Sequence, residues 1–255
     1  MKDLTNKIDK NITEKTGGKI MIYAEVLAGG SGTRMGNTEM PKQFLKIGKK
    51  PIFIHTVEQF IFNKRVEKVL ICCPEQWISY TQDTLKKYIS DTSKVVVVQG
   101  GATRNDTILN GCYYIEKEYG INDDDIILTH DAVRPFLNQR IIDDNIDAAL
   151  KYGAPDTVVE AFDTIVHSVD GKIITDIPVR SQMYQGQTPQ SFNIKLLMKF
   201  FETLTEEEKS ILTDACKALV LKGIDVHLVR GEVYNMKITT QYDLKVANGL
   251  VEGDK

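Results

Sequence analysis

Four short apolar runs, Ile20–Leu27, Val66–Cys73, Val95–Val98 and Ile126–Leu128, recur along the first half of the chain, and a loop and a helical pattern follow each. Apolar runs of this length read as buried strands, and the intervening stretches show helical spacing. Pro51 fits a first helical turn ahead of Ile52, Ile54, Val57, Phe60 and Ile61. Further helices are predicted over Trp77–Tyr88, Thr107–Tyr119 and Gln139–Tyr152. Strands joined through helices pair in parallel, and the helices cover both faces of the sheet. The expected fold is therefore α/β, a Rossmann-like, mostly parallel sheet flanked by helices on both faces. The 255 residues can bury such a core as one domain.

The pattern changes after Tyr152. Asp156–Ala161 is β-rich, and two β-branched runs, Asp163–Val169 and Lys172–Ile177, flank Asp170-Gly171. An Asp-Gly pair in that setting signals a hairpin. A protruding β-hairpin arm is expected at about 159–180, either as a dimerisation arm or as an exposed hairpin on a monomer. Met183–Gln190 reads as an amide-rich segment rather than a core strand. Thr205 with Glu208 forms a capping box, Val226–Val229 is a last strand, and Thr240 can cap a C-terminal helix. Residues 1–20 are polar and Lys-rich, and read as a disordered extension or cloning remnant, with Met21 as a candidate native start. Residues 21–255 then form the single domain.

In parallel sheets, ligands bind beyond the carboxyl ends of the strands. Loops 28–42, 99–107 and 129–135 all follow strand ends, so they converge on one rim. The first carries Ala28-Gly29-Gly30-Ser31-Gly32-Thr33-Arg34-Met35 and Pro41-Lys42-Gln43. Glycines bring backbone N–H groups close to a ligand, and Arg34 and Lys42 add positive charge, which together suits a triphosphate. It is not a dinucleotide fingerprint, because Met35 stands where the third glycine belongs, and G-x-x-x-x-G-K-[ST] is absent. A plain strand-to-helix turn is the alternative.

Asp131, on the same rim, suits Mg²⁺ held with phosphate oxygens, the alternative being a turn cap. Asp123-Asp124-Asp125 precedes its strand and reads as a solvated turn. His130 reads as structural, and His55, His167 and His227 carry no signal. Cys72, Cys73, Cys112 and Cys216 show no metal spacing, which points to a reducing, cytoplasmic setting. A net charge of −3 speaks against a nucleic-acid partner, and no apolar run reaches membrane-spanning length.

Taken together, the glycine loop with Pro41-Lys42-Gln43, Asp131-Ala132-Val133-Arg134-Pro135, Thr188-Pro189-Gln190 and Asn235-Met236-Lys237-Ile238-Thr239 resemble the cytidylyltransferases of polyol phosphates, from about Met21 onward. Gly29-Gly30 and the segment Tyr184–Gln190 resemble the ribitol-5-phosphate branch, which makes CDP-ribitol for teichoic-acid or capsule synthesis. The resemblance implies that Leu27, Ala28, Gly29, Gly30, Gly32 and Thr33 hold CTP, with Arg34, Lys42 and Lys237 as catalytic cations. It implies that Gly101, Ala102, Arg104 and Thr107 read cytosine. The Ala102 position is often acidic in the family, so here only backbone contacts would remain. Asp131 would meet Mg²⁺ or a substrate hydroxyl, and Arg134, Thr188 and Thr213 would line the acceptor pocket. Thr164 and Arg180 would reach the substrate phosphate of a partner subunit in a homodimer. Methylerythritol-phosphate and sugar-1-phosphate nucleotidylyltransferases, and a non-catalytic nucleotide sensor, are the rival readings.

Overall fold

The computed structural model describes residues 19–30, 40–212 and 214–253. In chain order the strands are β1 (Ile22–Leu27), β2 (Lys46–Ile47), β3 (Lys50–Pro51), β4 (Lys68–Cys73), β5 (Val95–Gln99), β6 (Ile126–Asp131), β7 (Pro155–Glu160), β8 (Tyr184–Asn193) and β9 (His227–Arg230). The helices are α1 (Ile52–Phe62), α2 (Ile78–Tyr88), α3 (Arg104–Tyr119), α4 (Gln139–Tyr152), α5 (Ile194–Glu202), α6 (Glu206–Ser210), α7 (Ala215–Leu221) and α8 (Gln241–Glu252).

Seven strands form one sheet in the order β5-β4-β1-β6-β8-β7-β9, while β2 and β3 pair separately. Within the sheet only β8 runs against its neighbours; the other pairings are parallel. Alternate residues of the buried strands face opposite sides. Ala24, Val26, Ile126 and Leu128 meet Phe53, Val57, Leu85 and Ile142 on one face. Tyr23, Leu70 and Ile127 meet Ile108, Ile115, Leu197 and Leu219 on the other. A smaller cluster of Ile47, Ile52, Val133, Ile238 and Ala247 seats α8 beneath the rim. Among the described residues no helix is long and apolar enough to cross a membrane.

Caps fix where the helices begin. Thr103 with Asp106, Thr205 with Glu208 and Thr240 with Asp243 form capping boxes, and Asn138 caps α4 by accepting from Ile141 N–H.

Three expectations need correction. Residues 184–193 are a core strand, not an amide-rich loop, and Gln187 to Phe192 are buried. Their polarity misleads because neighbouring side chains satisfy the backbone: Thr157 Oγ1 donates to Pro189 O, Thr129 Oγ1 to Gln190 O and Asn235 Nδ2 to Thr188 O. The ladder with β7 also shifts between Asp156 and Val158, beside Pro189, which has no N–H to give.

The arm does not form two paired strands. Its Asp170-Gly171 turn exists, with Gly171 at φ 71°, but one antiparallel bridge, His167 to Asp176, is the whole ladder. Its β-branched residues stay exposed within the chain, so little holds two strands in register.

Asp125 is not solvated. It is 1 % exposed and accepts from Met21 N–H and Asn122 N–H, which pins the start of β1. The expectation for residues 1–20 falls mostly outside the described residues; Lys19 pairs with Glu67, and Ile20 packs against the core.

Candidate active site

Beyond the carboxyl ends of β1, β5 and β6 opens a cavity of about 320 Å³. Leu27, Gly29 and Gly30 form one wall, and Gly101, Ala102, Arg104 and Thr107 a second. Lys42, Asp131 and Lys237 bring charge to it. The three converging loops of the sequence therefore do meet.

Local chemistry shapes each wall. Among the described residues a Cβ on Gly30 would meet nothing within 4 Å, which leaves space for a ligand to approach the backbone. Gly101 is different: a Cβ there would collide with Asp106 and lie 2.9 Å from Thr107 N. Thr107 Oγ1 accepts from Gly101 N–H at 3.0 Å and donates to Thr103 O at 2.8 Å, which locks this loop onto the start of α3. Gln43 Nε2 donates to Ala28 O at 2.6 Å, fixing the root of the first loop. Lys42 Nζ reaches Ile238 O at 3.1 Å, tying the first loop to the last.

Asp131 sits at the centre of the positive charge. Its Oδ2 is 3.0 Å from Lys237 Nζ and 3.1 Å from Arg134 Nε, and its Oδ1 is 4.0 Å from Arg104 Nε. Burial pushes its carboxyl upward, but Lys237, Arg104 and Arg134 outweigh that and hold it well below the usual carboxylate range. Asp131 is thus ionised throughout the neutral range. His130 behind it is fully buried, and burial lowers it to about 4, so it is neutral. Its ring meets Phe60 edge-on, with Nδ1 2.9 Å from Thr188 Oγ1 and Nε2 3.1 Å from Arg134 O. That is a structural histidine.

The structure separates the remaining candidates. Arg134 and Thr188 lie behind the cavity wall rather than on it. Arg134 donates to Asp131 and to Asn235 O, and Thr188 Oγ1 accepts from Asp131 N–H. Both hold Asp131 in place, and both are largely buried. Ala28 is likewise buried, and it shapes the loop through its backbone. Thr164 and Arg180 are exposed on the arm, away from the cavity lining, with Arg180 Nη1 donating to Phe162 O. Gly32, Thr33, Arg34 and Thr213 fall outside the described residues. Sequence reasoning missed Thr103, Val133 and Thr239 on the cavity wall; Thr103 carried a signal as the Ser/Thr cap opening α3.

A sequence profile of the 2-C-methyl-D-erythritol 4-phosphate cytidylyltransferase (IspD) family matches residues 22–253. The chain belongs to the IspD family. Two solved structures similar to it bear this out. One is the 4-diphosphocytidyl-2C-methyl-D-erythritol synthase of Anaerococcus prevotii. It is 26 % identical with TM-score 0.74, covering 91 % of this chain and 96 % of that one. The other is the Francisella tularensis 2-C-methyl-D-erythritol 4-phosphate cytidylyltransferase, 28 % identical with TM-score 0.74, covering 89 % and 98 %. The Thermus thermophilus enzyme, at 23 % identity and TM-score 0.68 over 91 % and 98 %, shares the fold.

For this IspD-family cytidylyltransferase the candidate ligand for a divalent cation among the described rim residues is Asp131. Among the described residues no cluster of three or more His, Cys, Asp or Glu could hold a metal. Asp131 is the carboxylate that the described residues place on the cavity wall. That fits Mg²⁺, which takes one or two carboxylates and completes its shell with water and phosphate oxygens.

Proposed function

We propose that this IspD-family protein transfers the CMP moiety of CTP to D-ribitol 5-phosphate, giving CDP-ribitol and pyrophosphate for teichoic-acid or capsule polymer synthesis in the cytoplasm. One observation carries the reaction class: Lys42, Arg104 and Lys237 converge with Asp131 on a single cavity fronted by an open glycine loop. The ribitol assignment is supported by Gly29-Gly30 and by the Tyr184–Gln190 segment.

In this reading a phosphate oxygen of the acceptor attacks the α-phosphorus of CTP and pyrophosphate leaves. The monoester is largely dianionic at neutral pH, its second pKa being ~6, so no general base is required. That agrees with a neutral, fully engaged His130. The chain's task is to hold two anions together and neutralise the charge that builds up. Lys42 and Lys237, with Arg34, would do so around the α-phosphate. Gly29, Gly30, Gly32 and Thr33 would cradle the triphosphate, and Gly101, Ala102, Arg104 and Thr107 would face the base. Mg²⁺ on Asp131 would supply further charge neutralisation.

The arm, with Phe162, Val166, Val169, Ile173, Ile174 and Ile177 exposed, is the surface a second copy would cover. Pairing there would bring Thr164 and Arg180 to the acceptor phosphate in the other subunit, with Arg134, Thr188 and Thr213 behind the acceptor.

The family profile and neighbours favour a second reading, methylerythritol 4-phosphate as acceptor. Pyrophosphate release across the four nucleoside triphosphates, each with ribitol 5-phosphate, methylerythritol 4-phosphate and a sugar 1-phosphate, decides between them. Turnover confined to CTP with ribitol 5-phosphate is the expected result, and turnover with methylerythritol 4-phosphate alone overturns the ribitol assignment.

A further inference from the structure

The two lysines on the cavity wall meet on one short segment of chain. Residues 236–239, just before α8, belong to no helix or strand. Lys237 extends from this segment to Asp131 Oδ2 at 3.0 Å, and Lys42 Nζ donates to Ile238 O at 3.1 Å. One cation is thus carried by the segment and the other is tied to it. A stretch with no ladder of its own stays where individual partners hold its polar groups. Ile238 fixes the middle: it is fully buried, and its N–H donates to Val133 O at 2.9 Å. The ends are held by Asn235 and Asp243.

Asn235 is fully buried between β8 and the loop after β6. Its Nδ2 donates to Thr188 O at 2.9 Å and to Gln187 Oε1 at 3.2 Å, and its backbone carbonyl accepts from Arg134 Nη1 at 2.9 Å. Arg134 Nε donates to Asp131 Oδ2 at 3.1 Å, and Asp131 N–H donates to Thr188 Oγ1 at 3.2 Å. Asn235, Arg134, Asp131 and Thr188 therefore close a ring of contacts, and Lys237, two residues on, reaches the same Oδ2. A side-chain amide suits this place, because it gives two acceptors a donor without adding charge beside Asp131.

At the other end Asp243, in the first turn of α8, accepts through Oδ2 from Thr239 N–H at 2.8 Å and Thr240 N–H at 2.7 Å. Burial raises its carboxyl, but these bonds and the charge of Lys42 hold it below the ordinary carboxylate range. Thr239 lines the cavity, so this cap sets part of the wall as well as the start of the helix.

We propose that Asn235 and Asp243 are positioning residues for nucleotidyl transfer: they clamp the two ends of the 235–240 segment and so set the spacing of the Lys42 and Lys237 ammonium groups across the cavity. This rests on the reading that those lysines neutralise charge at the α-phosphate. Such a clamp acts on rate more than on binding, since a group misplaced by about 1 Å can cost ~100-fold in turnover.

The test is a pair of double-mutant cycles on the full-length protein, read by pyrophosphate release from CTP with ribitol 5-phosphate, or with methylerythritol 4-phosphate if that is the acceptor. Asn235→Ala and Asp243→Ala should each lower kcat roughly 10- to 100-fold, with KM for CTP within about threefold. Added to Lys237→Met, Asn235→Ala should cost at most about threefold more, because the cation it places is gone; Asp243→Ala added to Lys42→Ala should behave alike. Asp243→Asn keeps a carbonyl oxygen for the two N–H groups and should recover most of the turnover.

A loss that multiplies in full within a cycle overturns the proposal for that residue, because the residue then does not act through its lysine. Wild-type kcat in the alanine variants, or a raised KM for CTP with kcat unchanged, also overturns it. Asp243→Asn as impaired as Asp243→Ala overturns the hydrogen-bonded clamp. If Asn235→Ala does not fold, the Asp243 cycle with Asp243→Asn decides alone. Full kcat in both Lys42→Ala and Lys237→Met brings down the lysine reading and the clamp together, whereas failure of the clamp alone leaves both lysine variants impaired.

Discussion

Lys237 Nζ lies 3.0 Å from Asp131 Oδ2, so the loop before α8 is bound by charge to the end of β6. Lys237 is more than one-third exposed at its side chain, whereas Asp131 is almost enclosed. The pair therefore places a cation on the cavity wall more than it stabilises the fold. Lys237→Met is expected to leave the melting temperature nearly unchanged while lowering kcat by about 10²–10³-fold, the scale of losing one charge-stabilising donor. Thermal denaturation and steady-state kinetics on one preparation check both halves.

Lys42 is buried at the meeting of the first and last loops. Lys42→Ala should retain the far-UV circular dichroism of the wild type and lose on the order of 10³-fold in turnover. Near-normal kcat in the folded variant would remove Lys42 from the chemistry.

Glu25 should make stability fall as pH rises. Burial raises its carboxyl to about 8 in the folded chain, above the ordinary 4.5 that the unfolded chain shows. Between those values the folded state holds a proton that the unfolded state has lost, so stability declines through the interval by a few kcal/mol. Asp156, raised to about 7 by burial, acts in the same direction at lower pH. His130, lowered to about 4, acts oppositely below its ordinary 6.5. From pH 7 to 8 Glu25 dominates. Urea midpoints should drop over that range in the wild type and stay level in Glu25→Gln; parallel curves would refute the assignment.

Lys94 Nζ donates to Val66 O at 2.8 Å, Asn63 O at 3.2 Å and Ile61 O at 3.5 Å, gathering the carbonyls at and beyond the end of α1. Lys94→Met should cost about 1–2 kcal/mol in urea unfolding, with kcat/KM unaffected because Lys94 is remote from the cavity lining.

Replacing residues 163–178 with a short Gly-Ser linker should leave the sheet intact, since the arm makes only one bridge of its own. The expected product is a folded monomer by light scattering with little turnover. A variant that keeps dimer mass, or a monomer that keeps full activity, would count against the arm as the source of a shared site.

The sequence by itself determined the parallel half of the fold. β1, β4, β5 and β6 each contain a short, mostly apolar run, as strands covered on both faces of a parallel sheet require. It likewise determined the rim, because glycine loops and isolated cations after strand ends are local features, as with Gly29-Gly30, Lys42 and Asp131. Only the tertiary structure decided β8. Its Gln and Thr side chains look like loop chemistry until Thr129, Thr157 and Asn235, far away in the chain, satisfy its carbonyls. The division of labour at the site was hidden for the same reason. Arg134 and Lys237 are equal cations in a sequence, and it is depth that separates them: one buried and bonded to Asn235 O, the other half-open on the cavity wall. Periodicity reports burial along one element. Which partner satisfies a polar atom depends on the register of strands that the chain brings together only when folded.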